Sequence, residues 1–322
     1  MIHWPLLRKT IRDARWLWLS CAACLFAFAW VHVLINSRVD MGRFAKILEN
    51  IPDAWEKLAP VPFKQLMSYP ARLSVLYEEP LVYMLMTIWC IARASDSVSG
   101  ELGRGTMEIM LSQPVSRKQV ILTPTLVTLL GIGGLVTVLW VGSACGISTT
   151  WVEKPSTGGW TVPFTGIEIP LGIEESIERV PMTTLVSPRQ FLPAALNYAC
   201  FGFFLCGFCT MLSAFDRYRW RTIGIMIGFY VVQMLAELLG QAVESLSWLR
   251  TISFFRAYEP VMFVSKSVKN PEIAWSWFER NAAGQIVDLG PLTCDAILLS
   301  LGTIAFVIAV TVFCRRDLPA PI

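Results

Sequence analysis

The sequence predicts an all-α integral membrane protein of about six transmembrane helices. Three observations point there. The 322 residues are 54% hydrophobic and only 16% charged, with a mean hydropathy of +0.54, which is less charge than a soluble domain carries. The apolar residues gather in runs of roughly twenty, enough at 1.5 Å per residue to cross a hydrocarbon core about 30 Å thick. The basic residues crowd into short segments between alternate runs, as the positive-inside rule requires.

Taken in order, residues 1–15 set Arg8, Lys9, Arg12 and Arg15 among Trp4, Leu6, Leu7 and Ile11, the pattern of an amphipathic helix lying on a membrane surface. The run 16–35 lacks a convincing small-residue cleavage site, so it reads as an uncleaved span rather than a signal peptide. Loop 36–79 has mixed charge and holds Pro52, Pro60, Pro62 and Pro70, with a short helix expected around 44–58. The second span, 80–95, is the shortest, and Arg93 reaches the headgroups from it by snorkelling. The third span is 120–147. Loop 148–190 is rich in Pro, Gly and Thr, carries Glu174, Glu175 and Glu178, and alternates over 161–169 in a way that fits a short strand or hairpin. Spans 191–215 and 222–240 flank the basic turn Asp216–Arg221. Loop 241–291 contains Trp248, Phe254, Phe255, Phe263, Trp275, Trp277 and Phe278, which suit interfacial or re-entrant helices. The last span, 292–313, ends in Arg315, Arg316 and Asp317. Residues 1–322 therefore read as a single membrane domain.

Thirteen of the 27 Lys and Arg residues fall in the amino end, residues 93–118, the 216–221 turn and the carboxyl end. These segments total about 55 residues, against about 130 for the other three loops, a positive-inside bias that makes both termini and the 96–119 segment cytoplasmic and the three long loops extracytoplasmic. The nine cysteines lie in or at the ends of apolar runs, so Cys21/Cys24 and Cys206/Cys209 read as packing residues rather than as disulfides, metal ligands or redox pairs. A net charge of +3 gives no ground for nucleic-acid binding.

The 96–119 segment is the most informative stretch. Gly100, Gly103 and Gly105 loosen the backbone after the second span. Thr106 is the expected N-cap of a short helix, with Glu108 in the first turn where the helix dipole favours an acid. Met107, Met110 and Leu111 have the three- and four-residue spacing of one apolar face, and Pro114 stops the helix. Ser116-Arg117-Lys118-Gln119 reads as a capping box opening the next helix. An amphipathic element of about two turns, caught between spans, invites a partner to cover its apolar face.

The run Gly100-Glu101-Leu102-Gly103-Arg104-Gly105-Thr106, followed by Met107 to Leu111 and by Pro114-Val115-Ser116-Arg117, resembles the permease subunits of ABC-2-type ATP-binding-cassette transporters. Their pattern is a glutamate, a Gly-Thr pair, a leucine-rich short helix and Pro-Val-Ser-Arg. The six-span layout, the basic amphipathic amino end and the terminal Arg315-Arg316-Asp317 are similar too. Two departures stand out: Thr123-Pro124 where many relatives have Gly-Lys, and a longer outer loop over 148–190.

The resemblance implies a permease of the plasma (inner) membrane, usually an exporter, that pairs with a second copy or a related permease. It also implies a soluble ATPase subunit docked on the cytoplasmic face, with ATP and magnesium bound there. The chain itself has no G-x-x-x-x-G-K-[ST] loop, so no cofactor, metal or catalytic residue is expected in it. The coupling residues implied are Glu101, Arg104, Gly105, Thr106, Met107, Met110, Leu111, Pro114 and Arg117. Glu101 is then a coupling carboxylate binding Arg104 or an ATPase residue, against the plainer reading of a solvated acid beside a helix end. Arg117 and Lys118 serve as membrane anchors and partner contacts together. Met107, Ile109, Met110 and Leu111 form a docking face rather than a patch resting on the bilayer, because flexible methionines suit an interface that repacks.

Gly142-x-x-x-Gly146 and Gly224-x-x-x-Gly228 are small-residue patterns that let helices approach; intramolecular packing is favoured over a dimer seam for both. His32, Glu237 and Asp295 are the ionisable groups in apolar runs and so the default pathway candidates, although all three lie toward the outer ends of their spans. Two other function classes stay in view. A membrane-embedded lipid-modifying enzyme or protease would have to work with only His3 and His32, without H-E-x-x-H or G-x-S-x-G, and Glu78-Glu79 and Glu174-Glu175 sit at span or loop edges. An ATP-independent secondary transporter or channel would place polar groups near mid-membrane in repeat-related spans, and no internal repeat is visible.

Overall fold

The computed structural model describes residues 3–39, 66, 68–156, 159–161, 168–170, 176–280 and 285–316; the helix expected around 44–58 lies outside them. Six helical stretches in it are long and apolar enough to cross a membrane. The first, α1 (Trp4–Ser37), has 34 residues and so runs about 50 Å, well beyond a hydrocarbon core of about 30 Å. Its amino end is not a separate helix on the membrane surface, as its pattern predicts, but the first three turns of the span itself. Pro5 sits in the opening turn, where its missing N–H costs nothing, and no Gly or Pro follows before Ser37 to break the helix.

The second span also differs in extent. Helix α2 (Pro80–Ser95) is preceded by the short helix Tyr69–Ser74 and followed by a π-helical turn, Asp96–Gly100, and the helical turn Glu101–Gly103. The apolar run is short, yet the helical stretch around it covers Tyr69–Gly103, 35 residues. Then come α3 (Thr106–Leu111) and α4 (Arg117–Thr149). The capping box of α4 forms as read: Gln119 N–H donates to Ser116 Oγ at 3.3 Å and Ser116 N–H donates to Gln119 Oε1 at 2.9 Å. The helix runs on through Pro124.

Helices α5 (Leu192–Phe215) and α6 (Arg219–Ala242) follow, then α7 (Pro260–Lys269) and the last span α8 (Pro291–Arg315). Helix α5 is the core of the bundle, packed by α2, α4 and α8, while α1 lies along α4. Glycines set two of these approaches. A Cβ on Gly142 would stand 2.9 Å from the Phe26 carbonyl oxygen, and Gly146 faces Val33, so this pair does pack α4 on α1. The same spacing on α6 behaves otherwise. Gly224 and Gly228 have nothing within 4 Å of an added Cβ, which corrects the expectation of intramolecular packing there.

At the end of the bundle opposite the basic segments, β1 (Trp151–Ser156) pairs antiparallel with β4 (Ser176–Pro181), and inside them β2 (Gly159–Thr161) pairs with β3 (Glu168–Pro170). The hairpin read from the alternation over 161–169 is thus the inner pair, and the outer pair was not anticipated. The aromatic loop after α6 divides in two. Phe254, Phe255 and Phe263 are buried, whereas Trp248, Trp275 and Trp277 are exposed. Phe254 lies 4.9 Å from Phe204 and 5.8 Å from Phe229 between ring centroids, so the loop folds back into the bundle. Beyond α7, β5 (Phe278–Arg280) and β6 (Ile286–Leu289) form an antiparallel pair before α8.

Candidate functional site

The basic segments, far apart in sequence, meet at one end of the bundle. Gly105 makes this possible. Its φ of +70° is the left-handed conformation that a side chain disfavours, and it turns the chain from Gly103 into α3, acting itself as the N-cap. Thr106, the expected cap, is instead the first helical residue. Its hydroxyl donates to the Glu101 carboxylate and, at 3.2 Å, to the Glu101 carbonyl oxygen.

Glu101 is a hub. Besides Thr106 it takes Lys9 Nζ at 3.1 Å and Arg104 Nη2 at 3.1 Å, with its side chain only 13% exposed. Asp96, one turn earlier, takes Arg104 Nη1 at 2.7 Å and Arg219 Nη1 at 3.2 Å. The hydrogen bond to Asp96 is the main reason the Arg104 guanidinium holds its proton more firmly than usual. Five charged residues thus tie α1, the stretch after α2 and α6 together. A cavity of about 20 Å³ beside Glu101, Lys9 and Arg93 has room for one water molecule, and the buried Arg93 Nε has no acceptor among the described residues.

The apolar face of α3 is already covered. Met107 is 1% exposed and packs with Val98, Val120, Ile121, Ala214 and Phe313, and Met110 and Leu111 lean on the same cluster. The face read as open for a partner is therefore the one that fastens α3 to its own bundle. What stands free is the opposite ridge, with Arg104, Gly105, Glu108, Ile109, Ser112, Gln113 and Pro114 exposed. Ile109 is 66% exposed, an isolated apolar side chain among polar ones.

Arg117 is engaged within the chain as well. Its Nη1 donates to the carbonyl oxygens of Arg316 at 2.7 Å and Cys314 at 3.3 Å, and Arg316 Nη1 donates to those of Ala214 at 2.9 Å and Asp216 at 3.2 Å. Both guanidinium groups satisfy carbonyls at helix ends, where the helix dipole favours positive charge. Asp216 shapes the turn between α5 and α6 by accepting from the Arg217 and Tyr218 N–H groups at 2.7 and 3.1 Å.

The three pathway candidates are not brought together. His32 contacts Asn36 one turn on. Asp295 is buried and accepts from Asn197 Nδ2 at 2.8 Å, a group that also donates to the Ala257 carbonyl oxygen at 3.0 Å. Glu237 takes Arg250 Nε at 2.8 Å, and Arg250 Nη2 lies 2.5 Å from Glu259. Burial pushes the Glu259 carboxyl up and Arg250 draws it back. Each candidate belongs to a separate packing contact between the aromatic loop and the spans or within α1.

Lys9, Asp96 and Arg219 were missed as site residues by reading the sequence. Their partners lie on other helices, and no local spacing announces them. The sequence model of the family described as ABC-2 family transporter protein matches residues 4–318. No curated protein matches the chain.

Proposed function

Because the chain belongs to the ABC-2 family of transporter proteins and is a permease subunit of an ABC transporter, we propose that it is driven by a separate ATPase through the segment after α2. One observation carries this reading. The stretch 96–111 is braced on its inner side by the ionic hub at Glu101 and the apolar seat of Met107, while its outer ridge around Ile109 is free. A partner pressing on that ridge meets an element that does not fold away but passes the load to the helices behind it. Flexible loops cannot do this, and a short helix fixed on one face can.

In this reading the basic end is cytoplasmic, by the positive-inside distribution, and both termini lie there in the plasma (inner) membrane. Transport is outward, as the family resemblance implies. ATP and magnesium bind the partner, and this chain supplies the path. A second permease, identical or related, pairs along α6, where Gly224 and Gly228 leave a smooth surface flanked by exposed Ile225, Ile227 and Val231, the kind of seam that small residues allow between helices.

Affinity purification in mild detergent tests the reading. A soluble P-loop ATPase is expected to co-purify in a defined ratio, and Ile109→Glu is expected to release it while the permease stays folded. ATP hydrolysis by the purified chain alone, or full retention of the ATPase by Ile109→Glu, would count against it.

A further inference from the structure

The stretch after α2 is also tied to the fifth span by side chains. Arg219, the first residue of α6, reaches back along α2. Its Nη2 donates to the Ala92 carbonyl oxygen at 2.9 Å, its Nε to Ser95 Oγ at 3.2 Å, and its Nη1 lies 3.2 Å from Asp96 Oδ1. Beneath it runs a buried seam of hydroxyls. Ser99 N–H donates to Ser213 Oγ at 2.9 Å, Ser213 Oγ contacts the Ser95 carbonyl oxygen at 3.1 Å, and Thr222 Oγ1 contacts Ser99 Oγ at 3.1 Å. Ser95, Ser99, Ser213 and Thr222 are all fully buried.

These bonds converge on the π-helical turn Asp96–Gly100. A π turn closes i to i+5 rather than i to i+4, so it carries one residue more than the helix around it, and such turns recur at functional sites. Letting that residue out would advance the chain beyond the turn by about 1.5 Å. Asp96 stands at the joint, held from the coupling side by Arg104 at 2.7 Å and from the α6 side by Arg219. Farther along, α6 is anchored instead to α5 and the aromatic loop, through Phe229, Gln233 and Glu237. Only Thr222, Met226 and Gly240 of its residues are buried, and Thr222 belongs to the seam. A displacement of 101–111 therefore bears on the first turn of α6 through Arg219 and Thr222, as well as on α5 through Ser213 and the cluster around Met107.

We propose that Arg219 is a positioning residue that carries movement of the 96–111 segment into the fifth span, with the π-helical turn as the joint. The inference rests on the reading that an ATPase moves this segment. It adds a second output, because the load reaches not only α2, which is continuous with the segment, but also α6, which is joined to it only by side chains.

Hydrogen–deuterium exchange on the purified permease–ATPase complex, with and without ATP, tests it without knowledge of the substrate. In the wild type, ATP is expected to change amide exchange in both 96–111 and 219–226. In Arg219→Gln the response of 96–111 persists while that of 219–226 falls about fivefold or more, the lower end of ordinary coupling between sites. Thr222→Val removes one hydroxyl and no charge, gives the same loss in weaker form, and decides the matter if Arg219→Gln fails to fold. A 219–226 response that survives intact in the folded variants overturns the inference, as does a wild-type 219–226 that ignores ATP while 96–111 responds. If 96–111 is itself silent to ATP, or no ATPase co-purifies, the proposed function fails first.

Discussion

Lys9 Nζ lies 3.1 Å from Glu101 Oε1, across 92 residues of sequence. The contact joins the first three turns of α1, a helix longer than is needed to cross a membrane, to the stretch after α2. The projecting turns are a strut against which the braced segment rests. The same carboxylate holds Arg104 and Thr106, so its loss releases three ties together.

Charge exchange separates the strut from a chance surface pair. Lys9→Glu and Glu101→Lys, made singly, are expected to lower ATP-dependent transport and to reduce thermal stability. The double exchange should recover part of both, the shortfall reflecting Arg104, which then faces a lysine. Lys9 is 43% exposed, and an ion pair with so exposed a partner contributes about 0.2–1 kcal/mol, which a double-mutant cycle on the unfolding midpoint measures. Strict additivity of the single effects would show that the two residues do not act together.

Two substitutions on one short helix distinguish its faces. Met107→Ala empties a seat that is 1% exposed and should cost about 2–5 kcal/mol of stability, visible as an earlier melt of the detergent-solubilised protein. Ile109→Glu, on a side chain that is 66% exposed, should leave the melt unchanged while ATPase retention falls. The reverse assignment of effects would return the docking face to Met107.

The architecture was legible in the sequence where it depends on local pattern. Apolar runs marked the six spans, Ser116 and Gln119 marked the start of α4, and the glycines before Thr106 marked a turn that needs a positive φ at Gly105. The site was legible only in part. Glu101 and Arg104 announce a pair because they are neighbours on one turn, but nothing local links Asp96 to Arg219, or Glu101 to Lys9. The spacing of Met107, Met110 and Leu111 defined an apolar face and could not say that the chain's own Phe313 and Ile121 cover it. Likewise Gly142-x-x-x-Gly146 and Gly224-x-x-x-Gly228 are the same pattern with opposite surroundings, because a small-residue stripe specifies a close approach and not its partner.

Gly105 offers a test confined to the backbone. An added Cβ meets nothing within 4 Å, yet φ is +70°, so Gly105→Ala should destabilise by about 1–2 kcal/mol through conformation alone. Gly105→Asn should cost less, since asparagine visits the left-handed region more readily. Thermal unfolding of the three proteins should rank Gly, Asn, Ala; equal midpoints would mean the turn relaxes to another conformation.

The two glycine pairs make opposite predictions about assembly. Leucine at Gly142 would drive a side chain into the Phe26 backbone, so Gly142→Leu should separate α1 from α4 and destabilise the protomer, as overpacking commonly does by about 1–3 kcal/mol. Leucines at Gly224 and Gly228 meet open space, so the protomer should melt as before. If α6 is the seam between permeases, however, the added side chains hold two backbones apart, and native mass spectrometry should find less dimer in the double variant at equal concentration. A dimer fraction unchanged by Gly224→Leu with Gly228→Leu would place that face against lipid and move the seam elsewhere. The comparison is clean because the protomer melt reports folding and the dimer fraction reports assembly, and of the four glycines only Gly142 and Gly146 have a neighbour among the described residues of the protomer.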